Sequence, residues 1–194
     1  LPLNHESALI AIRAAALRHA CANAGVEPLG LRVAALEPAR FNAECERLGS
    51  KAAVAAGLVL SRLRDLWGVL GERAAPDPDE PPALAYAFLD RQGGRTDYTA
   101  LLSAIDPAGS LEEVRRSDVQ SAYTLRDCAG RRELRVIIEV EADSKRFPVA
   151  LASMAAKYCR DLAMLRFNER FAHELPEVKP TQGYGTDGRR WITE

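Results

Sequence analysis

The sequence predicts an α/β fold in which helices alternate with buried strands around one mixed sheet. Apolar runs rich in β-branched residues, such as "LRVIIEV" (Leu134–Val140), are typical of buried strands. Long Ala/Leu-rich stretches, such as the one before Gly25, are typical of helices. The composition, 47% apolar and 27% charged, is that of a globular protein. At 194 residues, we expect a single domain spanning 1–194.

The first half of the chain predicts helices around one short strand. The first helix is expected over about residues 6–24, because Gly25 ends the Ala/Leu-rich run. "LGLRVAALEP" predicts a strand that ends at Pro38. The stretch from Ala39 to about Glu72 predicts a long helix with a break near Gly49. "RAAPDPDEPP" predicts a linker within the domain.

The second half predicts most of the sheet and one long helix. "ALAYAFLD" predicts a strand buried on both faces, and "TDYTALLSAI" predicts a short helix capped by Thr96. The runs Leu111–Arg126 and Glu133–Glu141 predict strands joined by the hairpin turn "DCAGRR". A helix is expected from about Pro148 to near Ala172, followed by a tail that is mostly loop.

Charge and cysteine usage limit the class of protein. The net charge of −1 provides no global basic field, so any nucleic-acid site must be local. Four widely spaced cysteines without a CxxC pair favour a reduced, cytoplasmic protein. No apolar run reaches the roughly 18 residues that a membrane span needs. The chain starts inside a helical pattern without an initiator Met, so we expect it to lack an N-terminal segment.

Two aspartates follow predicted strands. Asp90 ends "AYAFLD" and Asp143 ends "VIIEVEAD". Ligand sites in open α/β sheets form at the carboxyl ends of strands. Two neighbouring carboxylates repel each other unless a cation lies between them, and Mg²⁺ or Mn²⁺ prefers such oxygen ligands. The alternative is that each aspartate is an ordinary helix-cap or turn residue.

The helix after Asp143 carries a polar stripe. Ser153, Lys157 and Arg160 stand at positions i, i+4 and i+7, which share one helix face. A hydroxyl and two cations suit a phosphodiester, although a solvated polar face is the alternative. A second stripe predicts the side packed on the core; it comprises Leu151, Met154, Tyr158, Leu162 and Leu165.

The segment "DSKRFPVALASMAAKYCRD" resembles the ribonuclease HII/HIII family of the ribonuclease H-like superfold. Asp143 precedes Ser153 by ten positions, and Lys157 follows four later, before Arg160 and Asp161. "GYGT" (Gly183–Thr186) resembles the family's Gly-Tyr-x-Thr loop, and "FLD" resembles its strand ending in a metal-binding aspartate. The fold implied is a ribonuclease H-like mixed sheet flanked by helices and lacking the first strands.

This resemblance implies a metal-dependent endonuclease. It implies hydrolysis of the RNA strand, or at embedded ribonucleotides, in RNA/DNA duplexes. Asp90 and Asp143 would be the catalytic ligands of Mg²⁺ or Mn²⁺. Ser153, Lys157 and Arg160 would bind the phosphate backbone, and Tyr184 would stack on the sugar beside the scissile ribonucleotide. The alternatives are a nucleic-acid-binding module of the same fold without metal chemistry, or another nuclease or junction resolvase of the superfold.

The sequence departs from the family pattern in three places, one of which is the spacing between Asp90 and Asp143, which a helix and a hairpin make longer than is usual in the family. Arg91 and Gln92 stand where the family has a glycine after the strand aspartate. The family's first strand, with an Asp-Glu pair and a Gly-Arg-Gly turn, has no counterpart here. The resemblance therefore predicts a gap in the sheet between "LRVAALEP" and "AYAFLD", with apolar edges exposed.

Other polar residues near these motifs have weaker assignments. Arg91 and Arg95 either contact phosphate or, in the interpretation adopted here, are solvated turn residues. Glu141 alternates with Glu139 and Asp143 and is a candidate acid behind the metal ligands. Further carboxylate or phosphate contacts are possible in the segment after Tyr184, at Asp187, Arg189 and Arg190.

Overall fold

The computed structural model describes residues 6–75, 77 and 79–194, which form two compact units. We call Ala34–Ser153 the sheet unit and Leu1–Val33 with Met154–Glu194 the helical unit. Every strand that the structure describes lies in the sheet unit, and the described residues of the helical unit form helices and loops.

The elements follow one another along the chain as six helices and four strands within the described residues. They are α1 (Ser7–Asn23), α2 (Pro38–Leu48), α3 (Lys51–Arg73), β1 (Ala83–Asp90), α4 (Thr99–Ser103), β2 (Ser110–Arg116), β3 (Gln120–Arg126), β4 (Arg132–Glu139), α5 (Phe147–Ala172) and α6 (Gly185–Thr193). A 3₁₀ turn, Ala142–Ser144, connects β4 to α5.

The sheet is mixed, with strand order β1-β4-β3-β2. The last three strands form an antiparallel meander, and β1 pairs in parallel with β4 over its full length, from Ala83↔Arg132 to Asp90↔Glu139. The predicted mixed α/β class is therefore confirmed. The parallel pair matters most for the site, because parallel neighbours end at the same edge of a sheet.

The core lies on one face of this sheet. It is built by side chains of α3, the α4 segment and the three strands β1, β3 and β4; the largest are Leu63, Trp67, Leu70, Tyr98, Leu102, Tyr123, Leu125, Leu134, Val136 and Ile138. The guanidinium of Arg132 lies 4.4 Å from the centre of the Trp67 ring and closes one side of the core.

The prediction that β1 is buried on both faces is wrong. Ala83, Ala85 and Leu89 pack against the core, but Leu84 and Tyr86 on the opposite face are 46% and 49% exposed. α3 and α4 both contribute to the core face. In addition, β1 pairs with β4 alone among the described strands, so its outer edge is open.

Two of the strand predictions are wrong. The stretch "LGLRVAALEP" is neither helix nor strand before Pro38, and its Leu29 and Leu31 are exposed. The predicted strand Leu111–Arg126 is two strands, β2 and β3. The Ser117 hydroxyl accepts the Gln120 N–H at 3.1 Å in the turn that separates them.

The helix boundaries follow the capping signals in most places. Gly49 ends α2 with φ 78°, and the Ser50 hydroxyl accepts the Ala53 N–H at the start of α3, which confirms the break predicted there. The Thr96 cap is wrong, because α4 starts later and the Asp97 carboxylate accepts the Thr99 N–H instead. The tail also contains a helix, α6, where loop was predicted.

The core-side stripe predicted on α5 is wrong. No residue of α5 is buried, and Met154 is 68% exposed. The core is built by α3 and α4, and a row of apolar residues does not reveal which helix will cover a sheet. Within the described residues, no helix combines the length and the apolar character that crossing a bilayer requires.

Candidate functional site

Asp90 and Asp143 lie at the same end of the sheet. Asp90 is the last residue of β1, and β4 ends beside it because the two strands are parallel. The Asp90 carboxylate accepts the N–H of Ala142 at 3.0 Å, and Ala142 directly precedes Asp143. Both aspartates are exposed, and Asp143 makes no hydrogen bond or ion pair with the residues described. The structure thus brings together two carboxylates that are 53 positions apart in the sequence.

The neighbouring acids do not form a common face with Asp143, contrary to the alternation in the sequence. Glu139 is buried, and its carboxylate accepts hydrogen bonds from Arg146 at 2.6 and 2.9 Å and from Gln120 at 2.7 Å. The Arg146 guanidinium in particular holds the pKa of Glu139 below its ordinary value. Glu141 has φ 55°, so the extended alternation has ended before it.

The two aspartates fit a hard divalent cation in donor chemistry and in their place at the strand ends. They provide only part of a ligand set, since the described residues contain no cluster of three or more histidines, cysteines or acids able to hold a metal ion. Any further metal ligand would therefore have to join Asp90 and Asp143 from elsewhere.

Glu141 lies in the left-handed region, an unfavourable conformation for a residue with a Cβ atom, immediately before Ala142 and Asp143. We expect Glu141→Gly to raise the free energy of unfolding by about 1 kcal/mol, because glycine adopts this conformation without a steric cost. Urea unfolding provides the measurement. Glu141→Gln, which removes the charge and leaves the backbone unchanged, is the control. Equal stability of the two variants would contradict local strain.

The Arg91 side chain connects the end of β1 to the turn between β2 and β3 through hydrogen bonds. Its guanidinium donates to the carbonyl oxygens of Ser117, at 2.8 Å, and Asp118. The interpretation of Arg91 as a solvated turn residue is therefore wrong. Arg95 lies 5.7 Å from the centre of the Tyr98 ring, on the same connection after Asp90. Both arginines stabilise this connection.

The polar stripe predicted after Asp143 lies on α5 as expected. Ser153 belongs to the sheet unit, whereas Lys157 and Arg160 belong to the helical unit. Lys157 is exposed, and Ser153 is partly exposed. Arg160 lies with its guanidinium 3.6 Å from the centre of the Tyr184 ring and donates to the carbonyl of Gln182. The structure thus brings Arg160 and Tyr184 into contact.

The segment 180–184, which we call the Tyr184 loop, is anchored to α5 by Asn168. The Asn168 amide donates to the Thr181 carbonyl at 2.8 Å and accepts the Thr181 N–H at 2.9 Å. Thr181 is 4% exposed. Its hydroxyl accepts the Gly183 N–H at 2.9 Å. A shallow cleft of about 410 Å³ is lined by Arg160, Met164, Asn168 and the Tyr184 loop.

Asp187, in the first turn of α6, holds the same loop from the other side. One of its oxygens accepts the Thr181 hydroxyl and the Gln182 N–H, each at 2.7 Å. The other accepts Arg190 at 3.0 Å. These hydrogen bonds, the one from Thr181 foremost, lower the pKa of Asp187 to about 2. Both oxygens are engaged within the protein, so the structure does not support Asp187 as a free carboxylate ligand.

Sequence reasoning missed Asn168 as an anchor of this loop. An asparagine within a helix gives no periodic signal, and its partner Thr181 lies 13 positions later. Only the tertiary contact reveals its role.

Gly183 has φ 71° and lies against Met164, where an added Cβ atom would come within 2.9 Å of the sulfur. We expect Gly183→Ala to lower the free energy of unfolding by about 1–2 kcal/mol and to displace Tyr184. Gly185→Ala is the matched control, because the space around Gly185 is open. Thermal melting provides the measurement. Equal melting temperatures for the two variants would contradict the prediction.

No family model, curated protein or solved structure matches this chain.

Proposed function

We propose that this chain forms part of a ribonuclease HII-like endonuclease that hydrolyses the RNA strand, or embedded ribonucleotides, of RNA/DNA duplexes. The observation that supports this most is the hydrogen bond from Ala142 to Asp90. It places the end of β1 beside the residue that precedes Asp143, where two carboxylates can share a divalent cation.

In this proposal, Asp90 and Asp143 hold Mg²⁺ or Mn²⁺ at the shared end of β1 and β4. When bound, the metal ions activate water and stabilise the leaving oxygen. The protein contributes the parallel strand pair β1 and β4, at whose ends the two carboxylates lie. Arg91 stabilises the connection after Asp90 by donating to the Ser117 carbonyl.

The remaining acidic ligands come, in the proposal, from a further strand added beside β1. The edge of β1 supports this. Ala83 and Arg91 direct their N–H groups to β4, so the alternating residues Leu84, Tyr86 and Phe88 direct theirs away from it. The opposite edge, β2, carries charged side chains and a bulge between Glu113 and Arg115, which discourage pairing. The edge of β1 has no such protection before Asp90.

Recognition of the duplex is assigned to α5 and the Tyr184 loop. Ser153, Lys157 and Arg160 would contact the phosphate backbone. Tyr184, which is exposed, would stack on the sugar beside the scissile ribonucleotide. The net charge of −1 is compatible with this role, because hybrid duplexes are recognised largely by shape and by 2′-hydroxyl contacts.

Cleavage by the full-length protein tests the proposal. An end-labelled RNA/DNA hybrid, a DNA duplex with one ribonucleotide and an all-DNA duplex are incubated with Mg²⁺, with Mn²⁺ or with EDTA. We expect metal-dependent cleavage of the first two on the 5′ side of a ribonucleotide. Hybrid binding without cleavage in either metal would favour the binding module. Cleavage of branched or all-DNA substrates alone would favour a different nuclease of the superfold.

A further inference from the structure

The position of Tyr184 is set by hydrogen bonds that hold the Tyr184 loop to α5 and α6. The Tyr184 loop contacts α5 through Asn168 and Arg160, and contacts α6 through Asp187. Asp187 links the loop to α6, because its carboxylate accepts hydrogen bonds from Thr181, Gln182 and Arg190.

The two hydrogen bonds on one oxygen of Asp187 orient consecutive residues of the loop. The Thr181 hydroxyl donates to this oxygen and accepts from Gly183, so its rotamer is set at both ends. The Gln182 N–H donates to the same oxygen, and the Gln182 carbonyl accepts from the Arg160 guanidinium. Three consecutive residues before Tyr184 are thus held in a defined conformation.

The charge of Asp187 is maintained by its surroundings. Arg190 donates to it and also contacts the carbonyls of Lys179 and Pro180, at the start of the loop. The low pKa of the carboxyl, about 2, keeps it ionised at any pH at which a nuclease works. Hydrogen bonds to an ionised acceptor are stronger than those between neutral groups.

We propose that Asp187 is a positioning residue, which places the Tyr184 ring against the sugar of a ribonucleotide-containing duplex by fixing the backbone of Thr181 and Gln182. This inference rests on the proposed function, in which Tyr184 contacts the substrate. It adds that recognition of the ribonucleotide depends on a carboxylate that touches neither the substrate nor a metal ion.

A double-mutant cycle tests the inference in the full-length protein. Binding of a fluorescein-labelled RNA/DNA hybrid is measured by anisotropy with Ca²⁺ in place of Mg²⁺, for the wild type, Asp187→Ala, Tyr184→Ala and the double variant. We expect Asp187→Ala to weaken binding by roughly tenfold, the size of one lost stacking contact, and to have no further effect once Tyr184 is alanine. Asp187→Asn, which keeps the shape and one acceptor, should give an intermediate loss.

Glu194→Gln is the matched control, because Glu194 also pairs with Arg190 but does not contact the Tyr184 loop. Its binding should equal that of the wild type. Amide hydrogen exchange supplies a second readout: Asp187→Ala should speed exchange at Gln182 and Gly183, while the melting temperature reports any global unfolding.

Each outcome has a distinct meaning. If the wild type does not bind the hybrid, the proposed function fails. If the wild type binds and Asp187→Ala binds equally well, the positioning role is wrong. An equal loss in the Tyr184→Ala background would also overturn it, because Asp187 would then act by another route than Tyr184. If amide hydrogen exchange at Gln182 and Gly183 is unchanged in Asp187→Ala, Asp187 does not fix the backbone of the loop and the inference is wrong.

Discussion

Replacing Asp143 with alanine is expected to reduce hybrid cleavage by the full-length protein by roughly 10³-fold or more, since a catalytic metal contributes several kcal/mol to stabilising the transition state. Asp143 is exposed and has no partner among the residues described, so its loss leaves no buried group unsatisfied. Folding should therefore be preserved. Binding of the hybrid should change by no more than a few fold, because the proposed duplex contacts lie on α5 and the Tyr184 loop.

The control for this variant is Asp79→Ala, which removes an exposed carboxylate from the linker before β1. Its cleavage rate should equal that of the wild type. Single-turnover rates at several Mn²⁺ concentrations provide the measurement, and circular dichroism verifies the fold. Undiminished cleavage by the Asp143→Ala variant would show that the catalytic assignment is wrong, whereas equal losses in both variants would point to a general effect of charge.

Leu134→Ala is expected to lower the free energy of unfolding by about 2–5 kcal/mol, through lost burial and the cavity left behind. Leu134 lies in β4, is 0% exposed and packs in the core with Leu125 and Trp67. Because β4 leads directly to the turn that carries Asp143, this loss should also make the candidate metal site less rigid.

Leu84→Ala is the matched control for this effect. The same side chain is removed from the neighbouring strand, but from the face opposite the core. Its free energy of unfolding should change by about 0.5 kcal/mol. Urea titrations of both variants supply the comparison. Similar losses would mean that the exposed face of β1 is covered in solution.

Local signals predicted the secondary structure where the chain's own residues decide it. Gly49 and Ser50 end one helix and start the next because a left-handed glycine and a hydroxyl cap satisfy backbone groups locally. The turn "DCAGRR" formed as predicted because the Asp127 carboxylate accepts the N–H groups of Arg131 and Arg132. These signals need no distant partner.

Three of the errors arose where a distant partner decides the outcome. "LGLRVAALEP" has the composition of a strand but pairs with no strand that the structure describes. The sequence of β1 is typical of a strand buried on both faces, but β1 lies at an edge of the sheet. α5 has an apolar stripe, but none of its residues is fully buried. Hydrophobic pattern shows that a face prefers burial, and it does not show which neighbour will provide that burial.

The candidate site shows the same division. The residue types and their spacing are visible in the amino-acid sequence: an aspartate after each of two strands, Ser153, Lys157 and Arg160 on one helix, and a Gly-Tyr-Gly-Thr segment. The tertiary structure alone decided that Asp90 lies beside the residue preceding Asp143, and that Arg160 lies on Tyr184. Spacing along a helix is a local property, whereas parallel pairing and loop anchoring depend on contacts between residues tens of positions apart, which no local pattern encodes.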